Sequence, residues 1–374
     1  MRIATLQFAP KLGDLKGNIE KANALLKTGK TVAVDGKKLG IGADLLKPDI
    51  LVLPELAMTG YNFPSLEAIK PYVEPVGDGP SASWARETAR RLRCKVCVGY
   101  PEIEMDSQNP DKVTYYNSLL VVDENGEFVL NYRKSFLYYT DETWAAEGQI
   151  ERGFHELEFD SQVHQGQQVL SEKKRIATSL GICMDINPYK FEAPFTKWEF
   201  ATRVLDSKSQ LVILSMAWLT ILSREELDAL KDKPEMDTFN YWLQRFWPLL
   251  QKRMEHEVDI DGGKAADSPK KIVIVFSNRS GEEPPTGDTK PPARYAGTSA
   301  IIAVSQRPTL NAAEKDAGSG AHTPDEESET EDAGIPFDVK ILCWDMLGAT
   351  EEGICFADTT ADPQMVFALK KASE

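Results

Sequence analysis

The sequence predicts an α/β domain built in layers, and three observations carry that prediction. Short continuous apolar runs recur along the 374 residues, as in Leu211-Val212-Ile213-Leu214. Such runs suit strands covered on both faces. Helical stretches with one apolar face lie between them, which suits covering layers. Strong turn signals join neighbouring runs, with Asp123-Glu124-Asn125-Gly126 the clearest.

The elements follow in order. Ile3-Ala4-Thr5-Leu6-Gln7 reads as a strand that begins almost at Met1. Residues 28–48 are rich in Gly and Lys and read as a loop with some helix. Leu51-Val52-Leu53 is a strand stopped by Pro54, since proline cannot continue a ladder. From Ser81, the residues Trp84, Ala85, Thr88, Ala89 and Leu92 share one helical face. Val96 to Tyr100, Leu119 to Val122 and Phe128 to Leu130 are further strands. Ile176 to Ile182, Ile272 to Phe276 and Thr298 to Val304 complete the set. Residues 221–270 are polar and helical and read as an insertion, whose Tyr241-Trp242 and Phe246-Trp247 suit core or subunit contact. Residues 306–335 carry dense negative charge and little apolar surface, so disorder is the expectation there. No internal repeat is visible.

Composition narrows the function classes. Hydrophobic residues make up 42% of the chain and charged residues 27%, enough for a sizeable core. A net charge of −15 argues against nucleic acid and against an anionic membrane as partners. The first residues form neither an apolar leader nor an Arg-rich amphipathic one, and no run reaches the length of a membrane span. Five cysteines in a chain this long do not make a disulfide framework. The expected compartment is the cytosol, with the nucleus also open. Cys94 and Cys97 form a lone C-x-x-C with no second pair, so core packing rather than zinc is expected. Cys343 and Cys355 lack a partner motif and are expected to be buried.

Cys183 differs from these because it directly follows a buried strand, where α/β sites are usually built. A nucleophilic thiol needs a base. The four histidines, His155, His164, His256 and His322, all lie in polar stretches without strand-end context, although His155 or His164 folding inward stays open. Glu55 is the better candidate: it follows an apolar strand, and burial there would push its proton affinity towards neutrality. Lys134 sits among apolar and aromatic neighbours, where an ammonium requires a carboxylate partner.

Taken together, Pro54-Glu55-Leu56-Ala57-Met58-Thr59-Gly60-Tyr61, Tyr132-Arg133-Lys134 and Gly181-Ile182-Cys183-Met184-Asp185 resemble the Glu–Lys–Cys signature of the nitrilase, or carbon–nitrogen hydrolase, superfamily. Ile3 to Gln7, Ser277 to Glu282 and Tyr295 to Ser299 add to the resemblance, which spans roughly residues 1–305 apart from insertions. Met184 and Asn187-Pro188-Tyr189-Lys190 depart from most of that superfamily. With Met216-Ala217-Trp218 and Asn240-Tyr241-Trp242, they look like its fungal branch acting on protein N-terminal asparagine.

The resemblance implies a four-layer αββα sandwich forming one domain over residues 1–374 and a thioester mechanism with no metal or organic cofactor. Cys183 would be nucleophile, Glu55 general base and acid, and Lys134 with the Met184 N–H the oxyanion donors. A second carboxylate beyond the lysine orients it in this family; Glu142 matches best, with Asp141 an adjacent rival. The implied substrates are proteins or peptides beginning with Asn, or with Gln, converted to Asp or Glu with loss of ammonia and passed to N-degron-type degradation. An α-ammonium on the substrate calls for an acceptor, and Asp185, Glu282 and Glu283 are the candidates. Tyr61, Met216, Trp218, Asn278 and Arg279 are further candidate substrate-binding residues. A small-molecule amidase or nitrilase and a non-catalytic binding relative are the competing readings. A monomer and a homodimer are both compatible with the sequence.

Overall fold

The computed structural model describes residues 1–374 except 107, 110, 166–167, 257–259, 262–268, 287–290, 309–336 and 369–374. Two seven-stranded sheets carry the architecture. The first runs in the order Gly353–Asp358, Arg2–Gln7, Ile50–Val52, Lys95–Met105, Val113–Val122, Phe128–Arg133, with Glu74–Pro75 paired beside Lys95–Met105. The second runs Met365–Ala368, Phe337–Met346, Ala300–Pro308, Lys270–Asn278, Leu211–Met216, Gln168–Ile182, Phe154–Gln165.

Side-chain alternation in the strand Arg2–Gln7 explains the layering. Ile3 faces the second sheet and packs in one cluster with Ile182, Ile213 and Val275. Ala4 and Leu6 point the other way, against Ala22 and Leu26 of the helix Leu15–Thr28 and Ala85 and Ala89 of the helix Pro80–Leu92. A strand covered on both faces has no solvated side to mark with polar residues, hence its continuous apolar run. Trp84, Thr88 and Leu92 are buried with Ala85 and Ala89, as the helical periodicity requires. Beyond the second sheet lie the helices Glu199–Asp206 and Met236–Arg245, whose Phe200 and Trp242 pack into the same core with Phe246 just past the second helix. Trp242 stacks on Phe276 with ring centroids 5.0 Å apart. The result is the αββα sandwich.

The sheets meet closely enough for hydrogen bonds between them. The Ser215 hydroxyl donates to the Leu53 carbonyl at 2.9 Å, and the Ser299 N–H to Gln7 Oε1 at 2.8 Å. Both sheets contain central parallel pairs: Arg2–Gln7, Ile50–Val52 and Lys95–Met105 in one, Gln168–Ile182, Leu211–Met216 and Lys270–Asn278 in the other. Glu55, Cys183 and Ala217 all follow the carboxyl ends of such strands, the usual location for an α/β site.

Two expectations about the peripheral segments need adjustment. Residues 28–48 are not mainly loop: Lys30–Val34 and Lys37–Ile41 form an antiparallel hairpin before the short helix Ala43–Leu46. Asp35 and Gly36 both take positive φ, the backbone that a two-residue hairpin turn demands. The acidic tract begins later than residue 306, because Ala300–Pro308 is strand; 309–335 fall outside the described residues. Among its described residues, 221–270 is helical as expected in Arg224–Leu230, Met236–Arg245 and Pro248–Gln251. No helix among the described residues is long and apolar enough to cross a membrane.

Candidate active site

Glu55, Lys134 and Cys183 come from three strand ends and meet at one buried point. Leu53 and Pro54 deliver Glu55 into the interface between the sheets, and Leu56 after it takes a positive φ of 47°. Cys183 also has a positive φ, 42°, at the turn that opens the short 3-10 segment Cys183–Ile186. Non-glycine residues rarely hold that conformation, and they cluster where a side chain must be aimed. Two such turns flank the same site. Lys134 follows the edge strand Phe128–Arg133 and is held by its N–H on the Asn117 carbonyl at 2.8 Å.

The charges are tightly coupled. Lys134 Nζ lies 2.6 Å from Glu55 Oε1 and 2.6 Å from Asp141 Oδ2, with all three side chains fully buried. Asn117 Nδ2 spans both carboxylates, 2.7 Å from Glu55 Oε1 and 3.0 Å from Asp141 Oδ1. Glu55 Oε2 accepts the Ala217 N–H at 2.8 Å. Burial pushes the Glu55 carboxyl above the ordinary glutamate range; Lys134 opposes the shift and Asp141 reinforces it. Burial and then the Glu55 charge push the Cys183 thiol well up, while Lys134 and the Ala217 N–H pull it down. Burial alone would lower the Lys134 pKa, but Asp141 and Glu55 outweigh it and the ammonium is retained. The arrangement is a protonated thiol beside a carboxylate that can take its proton, with a fixed cation between two acids.

The second carboxylate is Asp141, not Glu142. Asp141 is buried in the turn Asp141–Thr143 and accepts from Lys134 Nζ, Asn117 Nδ2, the Tyr138 N–H at 3.0 Å and the Tyr61 hydroxyl at 3.2 Å. Glu142 is exposed. In so tight a turn only one of two consecutive side chains can face inward, and sequence spacing does not say which.

A cavity of about 390 Å³ opens onto Cys183, within the range of small-ligand sites. Tyr61, Met184, Ala217 and Trp218 line its inner part. The helix Met236–Arg245 and the residue before it contribute Glu235, Asp237, Thr238 and Tyr241. Tyr138, Phe191 and Ile221 give it an apolar mouth. The Met184 N–H opens the turn after Cys183, where the first amides have no partner within the turn. Among the described residues no cluster could hold a metal ion.

Tyr61 and Trp218 therefore line the cavity, but other candidates take supporting positions. Asp185 does not face it. Its carboxylate accepts from the N–H groups of Ile182 at 2.7 Å, Ser135 at 3.0 Å and Phe136 at 2.8 Å, and from the Tyr132 hydroxyl at 2.8 Å. It ties the Lys134 loop to the Cys183 turn and has no capacity left for a ligand. Glu282 pairs with Arg294 at 2.7 Å on another face. Glu283 is buried among Arg279, the Tyr295 hydroxyl and the Tyr61 and Asn62 N–H groups. Arg279 is the partner that neutralises Glu283 and also donates to the Pro10 carbonyl at 2.9 Å. Asn278 holds the Trp218 backbone, its Oδ1 accepting the Trp218 N–H at 2.7 Å. Met216 is fully buried behind the wall, where its carbonyl accepts from Glu55 N and Arg279 N.

Several contributors escaped the sequence reading. Asn117 has a signal in retrospect: a lone amide in the run of the strand Val113–Val122, where a buried polar group needs a reason. Gly99 is another, since a Cβ there would stand 2.8 Å from Glu55 Cα, Leu56 N and Pro54 O. Tyr241, expected in core or subunit contact, lines the cavity instead, while its neighbour Trp242 is core. Cys94, Cys97, Cys343 and Cys355 are free and buried.

This geometry agrees with what known proteins resemble the chain. The carbon-nitrogen hydrolase family profile matches residues 2–188. A protein N-terminal amidase of Schizosaccharomyces pombe is 31% identical over 320 residues, covering 82% of this chain and 92% of its own. One from Saccharomyces cerevisiae is 29% identical over 308 residues, covering 67% of this chain and 64% of its own, so the match spans a little under two thirds of that relative. Of solved structures, a crystal structure of an N-terminal amidase aligns with a TM-score of 0.66 at 23% identity over 99% of both chains. Another, of N-terminal amidase with an Asn-Glu-Ala peptide, gives 0.66 at 21% over 99% of both, which shows a common fold. By its sequence match, its fold and the residues gathered around Cys183, the chain belongs to the carbon–nitrogen hydrolase family and is an amidohydrolase.

Proposed function

We propose that the chain is a cysteine amidase that removes ammonia from the side-chain amide of N-terminal Asn, and of Gln, in proteins and peptides. One observation carries the reading: the Lys134 ammonium is locked between Glu55 and Asp141, and the charges of Lys134 and Glu55 act on Cys183, which lines the cavity. The relatives named as protein N-terminal amidases supply the substrate class.

The proposed reaction follows from the geometry. The substrate amide enters with its carbonyl carbon over Cys183. Glu55 takes the thiol proton as sulfur attacks, so the thiolate need not exist free in a site that disfavours it. Charge develops on the carbonyl oxygen, where Lys134 and the Met184 N–H receive it; one such donor is typically worth about 10²–10³ in rate. Glu55 returns its proton to the leaving nitrogen, which departs as ammonia and leaves a thioester on Cys183. Water then attacks the thioester carbon, Glu55 taking its proton and returning it to the Cys183 sulfur. The product is an N-terminal Asp or Glu, which would suit a step feeding N-degron-type degradation. Asp141 and Asn117 hold Lys134 and Glu55 in place through both halves. No step calls for a metal or organic cofactor.

The test is mass spectrometry of peptides that differ only in residue one, incubated with wild type and with Cys183→Ala. Conversion of Asn- and Gln-initiated peptides by wild type alone is expected. Equal conversion of internal or N-acetylated Asn, or residual activity in Cys183→Ala, overturns the reading.

A further inference from the structure

We propose that Glu235 receives the α-ammonium of the substrate and is the residue through which this chain demands a free N-terminus. The inference rests on the N-terminal amidase reading and identifies a residue for it.

Most acids near the site already have partners. Glu55 and Asp141 are committed to Lys134, and Asp185 and Glu283 to their own donors. Glu282 is paired with Arg294. Two carboxylates remain in the cavity wall, Glu235 and Asp237, and no Lys, Arg or His lines the cavity among the described residues. A cavity so lined favours a cation over an anion or a neutral ligand.

Glu235 differs from Asp237 in a way that points to a ligand. Asp237 is exposed at the mouth, whereas Glu235 is only 5% exposed. Glu235 Oε1 accepts the Thr238 hydroxyl at 2.9 Å, but Oε2 is buried with no partner within hydrogen-bond distance among the described residues. No salt bridge from the described residues reaches this carboxylate. Burial pushes its pKa up, and the hydroxyls of Thr238 and Thr220 pull it only partly back. A buried carboxylate oxygen with no counter-charge is costly unless something supplies one. A substrate ammonium would do so. The position is also fixed in advance, because the Glu235 N–H donates to Thr298 Oγ1 at 2.9 Å at the start of the helix Met236–Arg245. Trp218 and Tyr241, with ring centroids 5.6 Å apart, stand in the same wall and offer π faces to a cation.

The experiment measures steady-state kinetics on an Asn-initiated peptide, its N-acetylated form and an analogue bearing a hydroxyl in place of the α-amine. Wild type should prefer the free amine strongly. Glu235→Gln should raise KM for the Asn peptide by at least about tenfold with much less effect on kcat, and should narrow the preference over the hydroxyl analogue by a similar factor. Folding is checked by thermal melting and by alkylation of Cys183 with iodoacetamide. If Glu235→Gln does not fold, Glu235→Asp is read instead, and its withdrawn carboxylate should raise KM by at least about threefold. A folded variant whose KM and amine preference match wild type overturns the role of Glu235 and leaves the amidase reading intact. Wild type that processes acetylated and free peptides equally overturns the underlying reading itself.

Discussion

Asp141→Asn is the most incisive test of the charge cluster. The substitution preserves shape but removes the charge facing Lys134 Nζ at 2.6 Å. It also creates a conflict of donors. Asp141 accepts at both oxygens, from Lys134, the Tyr138 N–H and the Tyr61 hydroxyl on one and from Asn117 on the other. An Asn side chain must turn its NH₂ towards one of those sets. Removing one partner of a buried ion pair costs about 3–5 kcal/mol, which expressed wholly in the transition state is about 10²- to 10⁴-fold in rate. Glu55 still holds Lys134, so the lower part of that range, about 10²- to 10³-fold in kcat, is expected. The pH profile should move as well. Asp141 is one of the charges raising the Glu55 pKa, so its loss should shift the acid limb of kcat/KM to lower pH, because Glu55 then loses its proton more readily. Glu142→Gln is the control: an exposed side chain should change kcat by less than about twofold. Ammonia release measured across pH for both variants decides the matter. Activity within threefold of wild type in Asp141→Asn, or a large loss in Glu142→Gln, would falsify the assignment of the lysine's second partner.

Further tests address the scaffold around the site. In Gly99→Ala the new Cβ must push on the backbone of Pro54, Glu55 and Leu56 from 2.8 Å, so kcat should fall by at least about tenfold while the protein still melts cooperatively; unaltered kinetics would contradict it. Asp185→Asn leaves one pair of donors facing an NH₂ group, with an expected loss of about 2–4 kcal/mol in denaturant titrations together with weakened activity. A variant as stable as wild type would show that Asp185 is not the brace. Glu74, which accepts from the Ser81 N–H and hydroxyl, has its pKa raised to about 7 by burial. A group raised on folding stabilises most below its unfolded pKa and loses that contribution as pH rises through the folded one. The stability of wild type relative to Glu74→Gln should therefore fall between pH ~4.5 and ~8, by at most about 3 kcal/mol. A difference that is flat with pH would refute the shift.

Much of this protein was legible before folding. Glu55, Lys134 and Cys183 could be singled out because each follows or adjoins an apolar strand and each belongs to a motif carried by contiguous residues. The layered α/β class was legible for the same reason, since a strand buried on both faces has little choice but a continuous apolar run. The hairpin in 28–48 carried its signal in Asp35-Gly36, but two short strands of mixed polarity are hard to separate from loop.

Tertiary structure alone decided the rest, and the reason is common to all of it. Whether Asp141 or Glu142 turns inward depends on the rotation of one tight turn, which adjacent residues of similar chemistry do not encode. Whether Asp185 meets a substrate or a loop depends on which backbone N–H groups converge on it from 50 residues away. Glu235 reaches the cavity only because the helix Met236–Arg245 packs over the second sheet through Trp242 and Phe276. Local pattern sets what a segment becomes and which of its faces is apolar. Which side chains share a buried volume with a given thiol is set by long-range packing, and that information resides in no single stretch of the chain.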